Sequence, residues 1–397
     1  MDITLDNLFA FLVLLLMVVT FAAFIVPSVY LPFRTTREQQ LEDVAQSVLD
    51  KLLFGMGYPT DWGKNITLTQ KDLSSLGLHK DGGGIYELDM DKVLRIANAG
   101  ISQLPATIQI ASNSTSSLLG LTNPMGYEFS FTLSPALNTS VQVVASLTLK
   151  GQNTAPSVLG ITVVDPDGRP ASNANVTGLY LLMTVRKNGN NEAAYLNYTY
   201  CAGLASWEGK CTLNFTNWLT AVAKGIGASN LENSCAIVTI FGDYYGIRSP
   251  TSFSLSPALG ATIVGRYLIT SFPIGQLVPG TGSLQNVTAL DVPPYYVYLD
   301  CLHNETNRQA GTIVNAGPQK YCVYSLGKNV DNDVTFVVLP VKYFGTPEFV
   351  VALRPPVNVI SQTAIPGQAK TTVLRRLVRI GSWYYDAEVI VWRVVEY

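Results

Sequence analysis

Between Asn7 and Phe33 the chain carries no charged side chain, and residues 8–29 (LFAFLVLLLMVVTFAAFIVPSV) are almost wholly apolar. Twenty-two residues at 1.5 Å rise make a helix of roughly 33 Å, enough to cross a hydrocarbon layer about 30 Å thick. Such a rod does not rest alone in water; it goes into lipid or against other apolar surface. Leu8, Phe11, Leu15, Val18, Phe21 and Phe24 mark the side chains expected to do this. A cleavable secretory peptide has a shorter apolar core, about 7–15 residues, behind basic residues. Here the run is longer and Asp2 and Asp6 precede it, so the expectation is a retained transmembrane helix. Pro27 comes late, where a helix end or kink is tolerable, and Tyr30 suits the lipid interface.

Two signals for orientation oppose each other. Arg34 and Arg37 follow the span, which by the positive-inside rule places the remainder in the cytosol. Eight Asn-x-Ser/Thr sites follow it too, at Asn65, Asn113, Asn138, Asn175, Asn197, Asn214, Asn286 and Asn304. Such sites accept N-linked glycans on exposed loops of exported chains. With Glu38, Glu42 and Asp43 diluting the basic flank, the large domain is expected outside the cell.

Charge excludes other classes. Only 14% of the 397 residues are charged, and Lys+Arg number 26 against 28 Asp+Glu. No basic block is present to neutralise phosphates, so no nucleic-acid partner is expected. At 48% hydrophobic residues the chain is not disordered.

Beyond the span, Thr35-Thr36-Arg37-Glu38 has the pattern of a capping box at a helix start. Leu41, Val44, Val48, Leu49 and Leu52 then recur at helical steps as far as Gly55 and Gly57. This face either lies on the chain's own β-domain or forms a stalk against other copies. A short helix follows Asp89, with Gly100 as its stop. From there the period is two: Tyr127, Phe129, Phe131 and Leu133 alternate with polar residues, as do Val141, Val143, Ala145, Leu147 and Leu149. Further strands are expected at 158–164, 179–187, 211–216, 236–241, 334–344, 349–354, 371–380 and 383–395. Asn188-Gly189 and Gly381-Ser382 suit hairpin turns, and one helix is expected near 219–225. The fold class expected is therefore mainly β: an N-terminal transmembrane and amphipathic helix followed by antiparallel β-sandwich domains.

Two resemblances sharpen this. LLFGMGYPTDWGKN at 52–65, SSLGL at 74–78 and YELDMDK at 86–92 follow an amphipathic membrane helix. That order resembles archaeal type IV pilin-like secreted proteins, and the closing hairpin at 374–392 is similar to the last strands of such ectodomains. The resemblance implies a surface protein held by its first helix, in the membrane or in a filament core. VVDPDGRP at 163–170, with the second strand after Asn173 and the turn Trp207-Glu208-Gly209-Lys210, looks like an Ig-like or carboxypeptidase-regulatory-like β-sandwich. In it Asp caps the turn, Gly takes positive φ and Pro blocks extra pairing. The implied organisation is residues 1–57 as helix, 58–155 as the first part of a pilin-like β-domain, 156–250 as an inserted Ig-like module, and 251–397 completing the pilin-like sheet.

Little of the sequence reads as chemistry. The five cysteines, Cys201, Cys211, Cys235, Cys301 and Cys322, allow fifteen arrangements of two bridges and a spare thiol. Spacing favours Cys201–Cys211 and Cys301–Cys322. No CxxC or Cys/His cluster suggests a metal, and no cofactor is expected. His79 and His303 read as surface histidines, and Gly82–Gly84 as a turn lacking the Lys-Ser/Thr of a phosphate loop. Asp89 and Asp91 read as helix-start residues. Asp165, Asp167, Asp331 and Asp333 fit turn chemistry better than a Ca²⁺ site. Tyrosine clusters at 195/198/200, 244/245, 295/296/298 and 384/385 could offer a sugar-stacking or subunit-contact face. The expected role is a structural or adhesive pilin-like cell-surface glycoprotein and not an enzyme. Its partners would be membrane lipid or its own copies through the first helix, other surface or filament proteins, and N-linked glycans. The alternative is a membrane-anchored module that binds glycans or solutes.

Overall fold

The computed structural model describes residues 5–97, 104–105, 108–110, 112–121, 126–151, 153–188, 191–226, 230–254, 259–271, 290–292, 295–299, 312–316, 319–325, 334–343, 346–353, 359–362 and 370–393. The chain is mainly β, with antiparallel pairing dominant.

Helix α1 (Leu5–Phe54) runs for 50 residues. It passes through Thr35–Glu38 without interruption, so the expected capping box is not a helix start. Inside a continuous helix the backbone amides there already have partners four residues back, which leaves the cap nothing to satisfy. The expected choice between a docked helix and a free stalk resolves in favour of docking. Leu41, Ala45, Val48, Leu49, Leu52 and Leu53 are buried on one face. Two short buried or partly buried helices follow, α2 (Met90–Ile96) and α3 (Ser112–Leu118); the second was not foreseen from the sequence.

The first eight strands are β1 (Tyr127–Pro135), β2 (Asn138–Lys150), β3 (Asn153–Val164), β4 (Asn175–Asn188), β5 (Asn191–Leu204), β6 (Lys210–Asn214), β7 (Asn230–Tyr244) and β8 (Ile247–Ser254). Helix α4 (Thr216–Ile226) lies between β6 and β7, where one helix was expected. Then come β9 (Leu259–Gly260), β10 (Thr262–Val264), β11 (Tyr267–Thr270), β12 (Leu290–Val292), β13 (Tyr295–Leu299), β14 (Thr312–Ala316), β15 (Gln319–Ser325), β16 (Val334–Tyr343), β17 (Thr346–Leu353), β18 (Val359–Gln362), β19 (Thr371–Ile380) and β20 (Trp383–Arg393). They form five sheets in the orders β18-β1-β20-β19, β10-β11-β15-β14, β12-β13-β16-β17-β9, β2-β3-β6 and β5-β4-β7-β8. The pairs β13/β16 and β17/β9 are parallel.

The expected hairpin at Gly381 is present, joining β19 to β20 with Ile380 opposite Trp383 and Gly381 at φ 57°. The Asn188–Gly189 turn and the Gly100 stop lie outside the described residues. Alternation places Phe129, Phe131 and Leu133 with Ala387, Val389 and Val391 in a first core beneath α1.

One sheet serves two cores. On β4, Leu179, Leu181, Met183 and Val185 belong to the first core, whereas Val176, Tyr180 and Leu182 belong to a second. On β7, Cys235, Ile237 and Phe241 divide from Ala236, Val238 and Ile240 in the same way. A strand with both faces buried needs apolar residues at successive positions, which is why these two runs lack clean alternation. The second core is closed by β3 and β6 (Leu159, Ile161, Val163 and Leu213) and by Leu219 of α4.

Candidate functional site

Three places have features of a functional surface: the first helix with its lower end, a polar cleft beside the closing hairpin, and the exposed tyrosines. All ten residues 11–20 are exposed, among them Phe11 at 68%, Leu15 at 54% and Val18 at 58%. The side chains of Leu8, Phe21 and Phe24 lie outside the described residues. Among the described residues no helix is long and apolar enough to cross a membrane; within the apolar run the described side chains are those of residues 11–20, about 15 Å of helix.

The segment that follows α1 is held by charges that the sequence hides. Helix α2 is buried along its whole length, including Asp91, Lys92 and Arg95. Lys92 Nζ donates to the carbonyls of Met56 and His79, both at 2.9 Å. Arg95 donates through Nε to Ile108 O at 2.8 Å, through Nη1 to Trp62 O and to Asn65 O at 3.0 Å, and through Nη2 to Leu68 O. Its guanidinium also lies 5.7 Å from the Trp62 ring. Burial lowers both pKa values, Arg95 to about 10. The loop carbonyls are thereby satisfied in place of water, and the whole segment 56–68 is tied to one short helix.

The motif Gly57–Gly63 has its reason here. Trp62 Nε1 donates to Met56 O at 3.3 Å. Gly57 sits at φ 71°, and a Cβ on it would lie 2.6 Å from Trp62 Nε1, so no larger residue fits. Asp89 accepts from the Asp91 amide at 2.9 Å, as expected of a helix-start residue. Asp91 instead reaches across the chain and accepts from the Gly265 amide at 2.9 Å. Lys92 was noticed only within a motif and Arg95 was missed. A Lys and an Arg three apart read as a solvated face, and no local signal says otherwise.

The cleft has a volume of about 330 Å³ between β1, β19, β20 and the turn after β3. Arg375 crosses it to Glu388, Nε to Oε2 at 2.6 Å. Burial raises the Asp386 pKa against the pull of Arg375. Asp165 is engaged in its turn, accepting from the amides of Asp167 at 3.0 Å and Arg169 at 2.8 Å. Gly168 there has φ 80°. Among the described residues no three acidic, His or Cys side chains are grouped to hold a metal. Asp331, Asp333 and His303 lie outside them.

Among the described side chains the tyrosine clusters do not merge into one face; those of Tyr295, Tyr296 and Tyr298 are not among them. Tyr198 and Tyr200 are exposed on β5 beside Leu204, and Tyr245 is exposed, whereas Tyr385 is fully buried in the first core. Tyr195 is covered by Arg186, 4.4 Å from its ring.

Of the sequons, Asn138, Asn175 and Asn214 are exposed, and Asn65 and Asn197 are half-buried. Asn65 Oδ1 accepts from the Thr67 hydroxyl at 2.7 Å, and Asn214 Oδ1 accepts from the Thr216 amide at 2.9 Å. The Asn113 side chain, Asn286 and Asn304 lie outside the described residues.

Cys201 and Cys211 carry free thiols, so the bridge expected between them is not formed in this structure; Cys301, the expected partner of Cys322, lies outside the described residues. Cys201 and Cys211 sit on different sheets, opposite Gly178 and Ile161 respectively. They are therefore not neighbours along one hairpin.

No protein family matches the sequence, and no curated protein matches it. Among solved structures, the outer membrane decaheme cytochrome OmcA aligns at 12% identity over 30% of this chain and 22% of its own, with a TM-score of 0.17. A likeness that slight carries no argument about fold or role.

Proposed function

We propose that the chain is a structural or adhesive cell-surface protein of the pilin-like kind, held by the first half of α1 and presenting a β-rich ectodomain outside the cell. In this reading, residues 8–29 lie in lipid or against the same helix of other copies. The sheets β2-β3-β6 and β5-β4-β7-β8 form an Ig-like sandwich set into the pilin-like domain. The observation that carries it is the division of α1: residues 11–19 are apolar and exposed, while Leu41, Ala45, Val48, Leu49, Leu52 and Leu53 are buried in the core. An exposed apolar helix face of that length loses free energy in water and regains it only in lipid or against another apolar surface. The exposed sequons at Asn138, Asn175 and Asn214 are consistent with a glycosylated exterior.

Removal of residues 1–33 tests this. The shortened chain is expected to keep the full-length melting temperature within about 2 °C, and to move from the membrane or sheared-filament fraction into the soluble one. A full-length chain found soluble and monomeric without detergent would end the proposal. The binding-module alternative rests on the polar cleft and would instead show a thermal shift with a glycan or solute, abolished by Glu388→Ala.

A further inference from the structure

The strongest feature outside the anchoring reading is a pair of thiols on opposed sheets. Cys211, on β6, points into the second core with Leu213, and Cys201, on β5, packs against the same core from the other sheet. Successive side chains of a strand alternate, so Cys201 and Gly203 share one face of β5. A Cβ on Gly203 would lie 2.7 Å from Cys211 Sγ. The Cys211 sulfur thus rests on the bare backbone one step along the same face from Cys201. Across the strand pair, Gly178 stands opposite Cys201, and a Cβ there would lie 2.6 Å from Leu213. Two glycines flank Cys201 on the face that meets β6, so the sheets come closer here than side chains would permit. Burial raises the Cys211 pKa, and the Cys201 thiol nearby adds to the effect. The two sulfurs differ in access, since Cys201 is half-buried and Cys211 buried.

We infer that Cys201 and Cys211 are an oxidisable pair, in which Cys201 reacts first with a small-molecule disulfide and Cys211 resolves the adduct into a bridge between the two sheets. With oxidised glutathione as the oxidant, the Cys201 thiolate attacks one sulfur and expels one glutathione thiolate. The Cys211 thiol gives its proton to solvent, attacks the Cys201 sulfur and expels the second glutathione. Two electrons and two thiol hydrogens pass from the protein, giving one protein disulfide and two reduced glutathiones. Access sets the order of events, because an exchange partner can reach Cys201 and not Cys211. The inference stands independently of the anchoring proposal, and its test does not depend on where the chain resides.

The test is to incubate the full chain with oxidised glutathione at pH 8, block remaining thiols, and map peptides by mass spectrometry. The expected result is a linked pair of peptides carrying Cys201 and Cys211, lighter by two hydrogens, with a melting temperature raised by a few degrees. Cys211→Ser is expected to trap a stable glutathione adduct on Cys201. Cys201→Ser is expected to leave Cys211 reduced under the same treatment. A lasting mixed disulfide in the unmodified sequence, both thiols remaining free, or a bridge from either one to Cys235 or Cys322 would overturn the inference.

Discussion

Residues 11–20 and residues 41–53 belong to one unbroken helix, yet they meet opposite surroundings. In the first stretch every side chain is exposed and every one but Thr20 is apolar. In the second, Leu41, Ala45, Val48, Leu49, Leu52 and Leu53 are buried on one face, while Glu42 and Asp43 face water. An apolar stripe of limited width is a surface helix docked on its own core. An all-round apolar stretch has no such home within the chain. Sequence alone places the change in surroundings between Phe33 and Leu41, and the backbone passes through it without a break. What differs between the halves is the environment each requires, and the following substitutions probe that contrast in order of size.

The largest effect is expected at the buried charge that holds the segment following the docked half. Arg95→Leu leaves carbonyls of Ile108, Trp62, Asn65 and Leu68 without their donor. Buried acceptors left unpaired cost the full desolvation penalty each, so a loss of about 3–5 kcal/mol is expected in denaturant unfolding. A loss under 1 kcal/mol would mean that water replaces the guanidinium and that the loop is not held as described. Next comes a paired comparison on α1 itself. Leu49→Ala, at a fully buried position, is expected to cost about 2–4 kcal/mol. Leu15→Ala, at an exposed one, is expected to stay within about 0.5 kcal/mol. Equal effects at both positions would erase the contrast between the two halves.

How much of this the sequence already held can be judged from particular residues. The β-rich class was legible, because apolar and polar residues alternate along Tyr127–Leu133, and Gly381 marks the turn between β19 and β20. Strands β4 and β7 were placed as strands, but nothing in their near-continuous apolar runs said that they divide two cores. Periodicity reports how many faces are buried, not what covers each one. The capping box at Thr35–Glu38 misled because a local pattern identifies a helix start only when the preceding residues are not already helical. Arg95 and Lys92 were illegible for a further reason. Their partners are backbone carbonyls 13–36 residues distant, and a carbonyl leaves no trace in the sequence. Spacing of ten residues favoured pairing Cys201 with Cys211, but it gave no sign that the two stand on strands of different sheets.

A smaller test addresses the strand beneath the docked half. The loop carrying Glu87 closes the outer edge of β19, where Leu88 donates to Arg379 O at 2.8 Å and Arg379 donates to Tyr86 O at 2.9 Å. Burial alone would raise the Glu87 pKa. The hydrogen bonds from Lys80 at 2.7 Å, the Gly84 amide at 3.1 Å and Arg379 outweigh it, and hold the carboxyl at about 2, against 4.5 for a free one. A carboxyl that ionises more readily folded than unfolded stabilises the fold above its unfolded pKa. That contribution fades as pH falls from about 4.5 towards about 2. With Lys80 and Arg379 partly in solvent, screening reduces it to about 1–2 kcal/mol. Glu87→Gln should therefore lower the melting temperature at pH 7 and flatten its decline between pH 5 and pH 2, so that the two proteins converge in acid. If the edge of β19 were held by the backbone bonds alone, the two melting curves would coincide at every pH, and the charge at Glu87 would have no part in keeping the docked half of α1 on its sheet.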